Sequence, residues 1–276
     1  MNSKRIAVSD LDGTLLPHHG HISDQDLSSL EDLQLRGIIT VLATGRSLFS
    51  LRRHIPIDAP FDFVIFSTGA GIMDWKTQNL IYYKDLQNPD ICKICNVLEA
   101  SNIDYMLHDR IPDSHFLKYR EKVGLADFWN RIEHYREFAQ VFDEKHIAHT
   151  IAATQFLAVV PQDREDIYQK ICHKLYPITP IRTTSPMDLQ SLWIEIFAPG
   201  VNKGESLKYL LGKLRISASD MMVVGNDYND LDMLRLTEYA YVTSNAPEDL
   251  KKEFRPVSND NAFTMAMNDW LKAKSC

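Results

Sequence analysis

An apolar run, Ile6-Ala7-Val8, feeds directly into Ser9-Asp10-Leu11-Asp12-Gly13-Thr14-Leu15-Leu16. A short apolar stretch closed by turn residues reads as a buried strand. Side chains two apart on a strand share a side, so Asp10 and Asp12 face the same way. Carboxylates at the end of a buried strand need a crevice, and open parallel sheets provide one outside the carboxyl ends of their strands. Two desolvated carboxylates are costly without a cation. Mg²⁺, a hard ion that takes carboxylate oxygens and keeps several waters, suits them. An Asx-turn bent at Gly13 is the ordinary alternative for the pair taken alone.

The rest of the pattern agrees with a parallel sheet. Ser23 caps a helix over about 24–36, with Leu27, Leu30, Leu33 and Leu35 as its apolar face and Gly37 as its stop. A buried strand over 38–43, a helix over about 45–54 and a strand over 63–66 follow. Strands alternating with helices predict an α/β fold with a doubly wound, Rossmann-like parallel sheet. After Leu80-Ile81-Tyr82-Tyr83 the texture changes. Helices over 89–100 and 164–174 mix with a strand-like run at 156–160. Buried-strand character resumes at Trp193 to Phe197 and again at 221–224, ended by Gly225. The expected organisation is a core of residues 1–84 and 191–276 interrupted by an α+β insertion at 85–190, the size of an ordinary domain.

Composition narrows the partners. Hydrophobic residues make up 45% and charged residues 24% of the 276, an ordinary globular profile. The net charge of -7 argues against a nucleic-acid footprint, which needs a basic stripe. No run approaches the ~20 apolar residues of a membrane span. With residues 1–5 polar and 6–8 too short for a signal core, the expected location is the cytoplasm. Cys92, Cys95, Cys172 and Cys276 make no disulfide framework. Cys92 and Cys95 form a C-x-x-C in a helix-like segment, but no second pair completes a zinc site, so they read as small buried hydrophobes. His18, His19 and His21 read as a polar loop, with a second metal site as the alternative.

Three further strings carry chemistry. In Leu42-Ala43-Thr44-Gly45-Arg46-Ser47 a hydroxyl and the N–H groups of a helix start form an anion site. Thr44 would donate, and Gly45 lets an anion approach its N–H. Plain N-capping by Thr44 is the alternative. Arg46 reads as an ordinary helix-start residue, with a salt bridge or ligand contact as the alternative. In Gly200-Val201-Asn202-Lys203-Gly204-Glu205 a lysine stands against a helix dipole, which an anion facing it would explain. Val223-Val224-Gly225-Asn226-Asp227-Tyr228-Asn229-Asp230 is an acidic turn after a strand.

Taken in order, D-x-D-G-T-L, the Thr44 string, Lys203-Gly204 and the 225–230 turn resemble the four motifs of the haloacid dehalogenase superfamily. The resemblance covers about 1–83 and 191–276. The insertion, placed between the second and third motifs, resembles that of the large-cap, Cof-type class in position and length. Thr68 stands where the family's N-G-A string has Asn, and Asn245-Ala246-Pro247-Glu248 resembles a late N-A-P-E.

The resemblance implies a Mg²⁺-dependent phosphatase acting on a small phosphorylated metabolite, in particular a sugar phosphate. Asp10 would be the nucleophile. Asp12 would be the general acid and base, its backbone carbonyl helping to hold Mg²⁺. Thr44, Gly45 and Lys203 would bind phosphate, Lys203 also neutralising Asp10, with Asp230 orienting Lys203. The insertion would close as a cap. The family's G-D-x-x-N-D is altered here. Asn226 takes the place of the first Asp, and either Asn226 or Asp227 would complete the metal site at the cost of a negative charge. Two rivals stand: a phosphomutase using the same residues, and a catalytically weak phosphate-binding scaffold, motivated by Asn226. The oligomeric state is not legible.

Overall fold

The computed structural model describes residues 4–16, 20–143, 149–185 and 187–274. His18, His19 and Cys276 lie outside the described residues. The chain divides into two compact units. One comprises Met1–Arg46, Arg52–Tyr82 and Asn202–Cys276, the other Ser47–Leu51 and Tyr83–Val201.

The first unit is built on an eight-stranded sheet. Its order is Arg255–Val257, Tyr239–Thr243, Met221–Gly225, Ile6–Asp10, Ile39–Ala43, Phe63–Phe66, Gly71–Asp74, Asn79–Tyr83. The first six strands are parallel. Ile6–Asp10 therefore lies between Met221–Gly225 on one side and Ile39–Ala43 on the other, where the winding reverses. Such a switch point opens a crevice at the carboxyl ends of the strands. Strands covered on both faces read as continuous apolar runs, and Ile6–Asp10 is buried throughout. Ile6 and Val8 pack with Leu207, Leu210 and Leu211 of the helix Lys203–Leu214.

The helix Asp24–Leu35 starts at Ser23, whose side chain accepts from the Asp26 N–H. It ends at Gly37 (φ +70°), where the Ile38 N–H bonds to the Leu33 carbonyl, as a left-handed C-cap requires. Its buried face differs from the expected leucine stripe. Leu30 and Leu33 are buried, but Leu35 is 88% exposed. Asp26 and Ser29 are buried instead, hydrogen-bonded to Thr264 of the helix Ala262–Ala273. Polar groups joined to one another can replace apolar contact between two helices.

The second unit holds a six-stranded sheet in the order Ile181–Thr184, Leu192–Phe197, Gln155–Val160, Asp104–His108, Leu117–Arg120, Ala139–Val141. A two-stranded ladder joins Leu86–Gln87 to Ala152–Ala153. The helices Asn88–Ser101 and Glu165–Leu175 pack on one another. The helix Ala126–His134 buries Phe128 and Ile132 against Met106, Leu157, Val159 and Trp193. Leu192–Phe197, expected to resume the core, is an antiparallel partner of both Gln155–Val160 and Ile181–Thr184. A strand central to either sheet is buried on both faces, so its apolar run does not say which sheet it joins. Cys92, Cys95 and Cys172 are free thiols, with Cys95 buried against the Tyr105 hydroxyl.

His108 closes one strand of this sheet with Nδ1 2.8 Å from the Ser114 carbonyl oxygen. Burial, and then the charge of Arg131, push its pKa down to about 3 against the help of that carbonyl. An unfolded histidine titrates near ~6.5. The depressed folded value means that the neutral ring stabilises the fold fully above the unfolded value. That stability is lost as pH falls from there toward 3, by up to about 1.4 kcal/mol per pH unit. Urea unfolding between pH 7 and pH 4 should show this slope in the wild type and a shallower one in His108→Gln. Equal slopes would mean that His108 is not a source of the acid sensitivity. Among the described residues no helix is long and apolar enough to cross a membrane.

Candidate active site

The carboxyl ends of the central strands bring four distant segments together. Asp10 ends its strand almost fully buried, and Lys203 is the first residue of the helix Lys203–Leu214. Lys203 Nζ donates to Asp10 Oδ1 and to Asp230 Oδ1, both at 2.7 Å. Asp230 Oδ2 in turn accepts the N–H groups of Asn226 (2.8 Å) and Asp227 (3.1 Å). Gly225 must be glycine here, since a Cβ would strike the Asp230 side chain. Asp230 thus aims Lys203 and stiffens the 225–230 turn with one carboxylate.

One cation between two buried anions leaves a net negative charge in a dry place. Burial, then repulsion from Asp230, raise Asp10 to about 7, with Lys203 opposing and Asp12 adding to the rise. Burial alone would lower Lys203, but Asp10 and Asp230 overcome it and hold the ammonium above its usual range. The group therefore carries Lys203 as a fixed cation and Asp10 as the strained anion.

Asp12 lies in the turn after the strand. The Gly13 N–H donates to the Leu16 carbonyl at 2.8 Å, which turns the Asp12 carbonyl the opposite way. The Gly13 carbonyl is held by Asn245 Nδ2 at 3.1 Å and by Thr243 Oγ1 at 3.4 Å. Gly13 has φ +77°, and a Cβ there would collide with the Asn226 amide. The Asp12 side chain, 41% exposed, is gripped by Arg46. Nε lies 3.1 Å and 2.9 Å from the two carboxylate oxygens, and Nη2 lies 2.6 Å from Oδ1.

Fit to Mg²⁺ is decided by three oxygens. The position occupied by Asn226 Oδ1 is 3.1 Å from the Asp12 carbonyl oxygen and 3.2 Å from Asp10 Oδ2. With the carboxamide oxygen inward, three oxygens converge, an arrangement that a cation stabilises. With the amide turned over, Nδ2 donates to both oxygens and the metal-free group is satisfied. Neighbouring ligands of an octahedral ion with ~2.1 Å bonds sit about 3 Å apart. Asp10, the Asp12 carbonyl and Asn226 therefore fit Mg²⁺. The Asp227 carboxylate is engaged otherwise: Oδ1 accepts from the Tyr228 N–H at 2.7 Å and caps the short turn Tyr228–Asp230.

Thr44 is fully buried, and its Oγ1 accepts from the Arg46 N–H at 3.1 Å. Accepting leaves a hydroxyl its own proton to donate. The expected helix over 45–54 is only Leu48–Arg52, because Ser47 caps it three residues late through Oγ to the Ser50 N–H. Gly45 and Arg46 therefore lie in a bend, and the helix-start part of the anion argument does not apply. Thr68, beside Gly45, sits at φ +54°. A β-branched residue is strained there, where Asn is at ease.

All eight residues singled out in the sequence are accounted for. Asp10, Asp12, Lys203, Asn226 and Asp230 converge directly. Asp227 serves as a cap, Thr44 is buried and accepts from the Arg46 N–H, and Gly45 lies in the bend. Sequence reasoning did not assign Arg46 to Asp12, nor Thr243 and Asn245 to Gly13. The Asn245 string was visible but suggested no contact.

The family described as haloacid dehalogenase-like hydrolase matches residues 7–264. The chain belongs to that family. It is a hydrolase with the family's Rossmann-like core and inserted unit. Among relatives, the HMP-PP phosphatase of Cronobacter sakazakii is 28% identical, over 90% of this chain and 87% of its own. The 5-amino-6-(5-phospho-D-ribitylamino)uracil phosphatase YcsE of Bacillus subtilis is 22% identical, over 97% and 96% of the two chains. In fold, the chain resembles the phosphatase BT1666 from Bacteroides thetaiotaomicron, with a TM-score of 0.79 at 20% identity over 97% of this chain and 95% of that one.

Proposed function

We propose that this phosphatase hydrolyses a small phosphomonoester, a sugar or polyol phosphate, through an aspartyl phosphate on Asp10, with Mg²⁺ as cofactor. The observation that carries the reading is the buried Lys203 bridge between Asp10 and Asp230, set beside three converging oxygens. Phosphatase relatives support the reaction class, and the ribityl phosphate in the name of the Bacillus relative supports a polyol ester.

Asp10 forms a bond to phosphorus as the bond to the alcohol oxygen breaks. Asp12 gives its proton to that oxygen. Water then attacks phosphorus, Asp12 takes its proton, and the Asp10–phosphorus bond breaks to release inorganic phosphate. Splitting the reaction this way is covalent catalysis. Lys203 stays charged throughout and offsets the negative charge beside Asp10, while Thr44 and the Gly45 N–H would donate to phosphoryl oxygens. Bound at Asp10, the Asp12 carbonyl and Asn226, Mg²⁺ would supply Lewis-acid charge stabilisation. The inserted unit, Tyr83–Val201, is the cap in this reading.

Steady phosphate release from a panel of sugar and polyol phosphates with Mg²⁺ is the test. A phosphomutase would isomerise its ester and release little phosphate, and a binding scaffold would release none.

The metal ligand has its own test. Asn226→Asp should tighten Mg²⁺ in calorimetric titration about tenfold, since hard-ion affinity follows ligand charge. Asp227→Asn should loosen it only slightly, as a lost charge at longer range. Should Asn226→Asp weaken binding while Asp227→Asn eliminates it, Asp227 is the direct ligand.

A further inference from the structure

Arg46 has no role in the mechanism above, yet it makes three contacts to Asp12, at 2.6, 2.9 and 3.1 Å. A carboxylate as exposed as that of Asp12 has several rotamers open to it. A planar guanidinium reaching both oxygens removes that freedom, which a lysine's point charge does less well. The backbone that carries the guanidinium is itself pinned. The Arg46 N–H donates to Thr44 Oγ1, and its carbonyl accepts the Ser67 N–H at 2.8 Å. The fork therefore comes from a fixed bend in the same unit as Asp12.

We propose that Arg46 is a positioning residue for proton transfer. It acts through Asp12, holding that side chain where it serves the leaving oxygen as acid and then the attacking water as base, and not by binding the phosphoryl group. The inference rests on Asp12 being the acid and base. Arg46 exchanges no proton, because a guanidinium keeps its charge. The proton passes from Asp12 to the alcohol oxygen as the phosphorus–oxygen bond breaks, and returns to Asp12 from water in the second half.

The experiment uses the full chain with Mg²⁺ and two esters. One is the sugar phosphate that the wild type hydrolyses fastest, the other p-nitrophenyl phosphate, whose leaving group needs little acid help. General acid catalysis contributes ~10²–10⁴-fold, so Arg46→Ala should cost about ten- to a hundredfold in kcat on the sugar phosphate. Its KM, and kcat on the aryl ester, should move by less than about threefold. In an Asp12→Ala background, Arg46→Ala should add nothing, because residues acting through one another are not additive. Added guanidinium ion should restore part of the sugar-phosphate rate to Arg46→Ala and none to Asp12→Ala.

An equal rise in KM for both esters, multiplying with Asp12→Ala, would instead place Arg46 on the phosphoryl group and overturn the proposal. So would an Arg46→Ala enzyme indistinguishable from the wild type. Arg46→Gln replaces Arg46→Ala if the latter does not fold, with the same expectations. If the wild type hydrolyses neither ester, it is the phosphatase reading that fails, and this inference with it.

Discussion

If Asp10 is the nucleophile proposed above, Asp10→Asn should abolish phosphate release, by on the order of 10⁴-fold or more, as the loss of a covalent nucleophile does. The amide is nearly isosteric but cannot attack phosphorus. Stability should not suffer. Asp10 is the anion that burial and Asp230 disfavour, and Lys203 keeps its bond to Asp230 when Asp10 becomes neutral. Phosphate release and a thermal melt on the same preparation check both halves. A folded variant that keeps a substantial part of the wild-type rate excludes the aspartyl phosphate. A variant that does not fold would show that the carboxylate is needed to neutralise Lys203.

Lys203→Met should cost the most stability of the substitutions considered. It removes the one cation between Asp10 and Asp230, both almost fully buried. Breaking a buried ion pair from one side typically costs ~3–5 kcal/mol, because the abandoned charges have no water to turn to. For a chain of this size that corresponds to roughly 6–20 °C in melting temperature. Adding Asp10→Asn should recover part of the loss by removing one stranded carboxylate. A double variant no more stable than Lys203→Met would locate the cost in lost packing of the lysine stem and not in charge.

The strands of the first sheet were legible because each carries its burial in its own residues. Ile6–Asp10, Ile39–Ala43 and Phe63–Phe66 are short apolar runs closed by turn chemistry, and they alternate with helices. The Asp10–Asp12 spacing, Lys203 and the 225–230 turn were equally local, since each depends on a strand end or a helix start within a few residues. Those features predict an α/β chain with acidic and basic side chains gathered at one crevice.

Tertiary structure decided whatever depends on a partner far along the chain. Leu192–Phe197 belongs to the second unit because Gln155–Val160 and Ile181–Thr184 lie beside it, and a doubly buried strand has no sequence mark of its neighbours. Asp26 and Ser29 are buried on the helix Asp24–Leu35 because Thr264 lies beside them. Arg46 reaches Asp12 because a bend replaces the first turn of the expected helix. Asn226 meets the Asp12 carbonyl because Met221–Gly225 pairs with Ile6–Asp10 and brings the two turns side by side. Periodicity reports which side of an element is apolar; hydrogen bonds between segments hundreds of residues apart report which groups meet, and no local pattern encodes them.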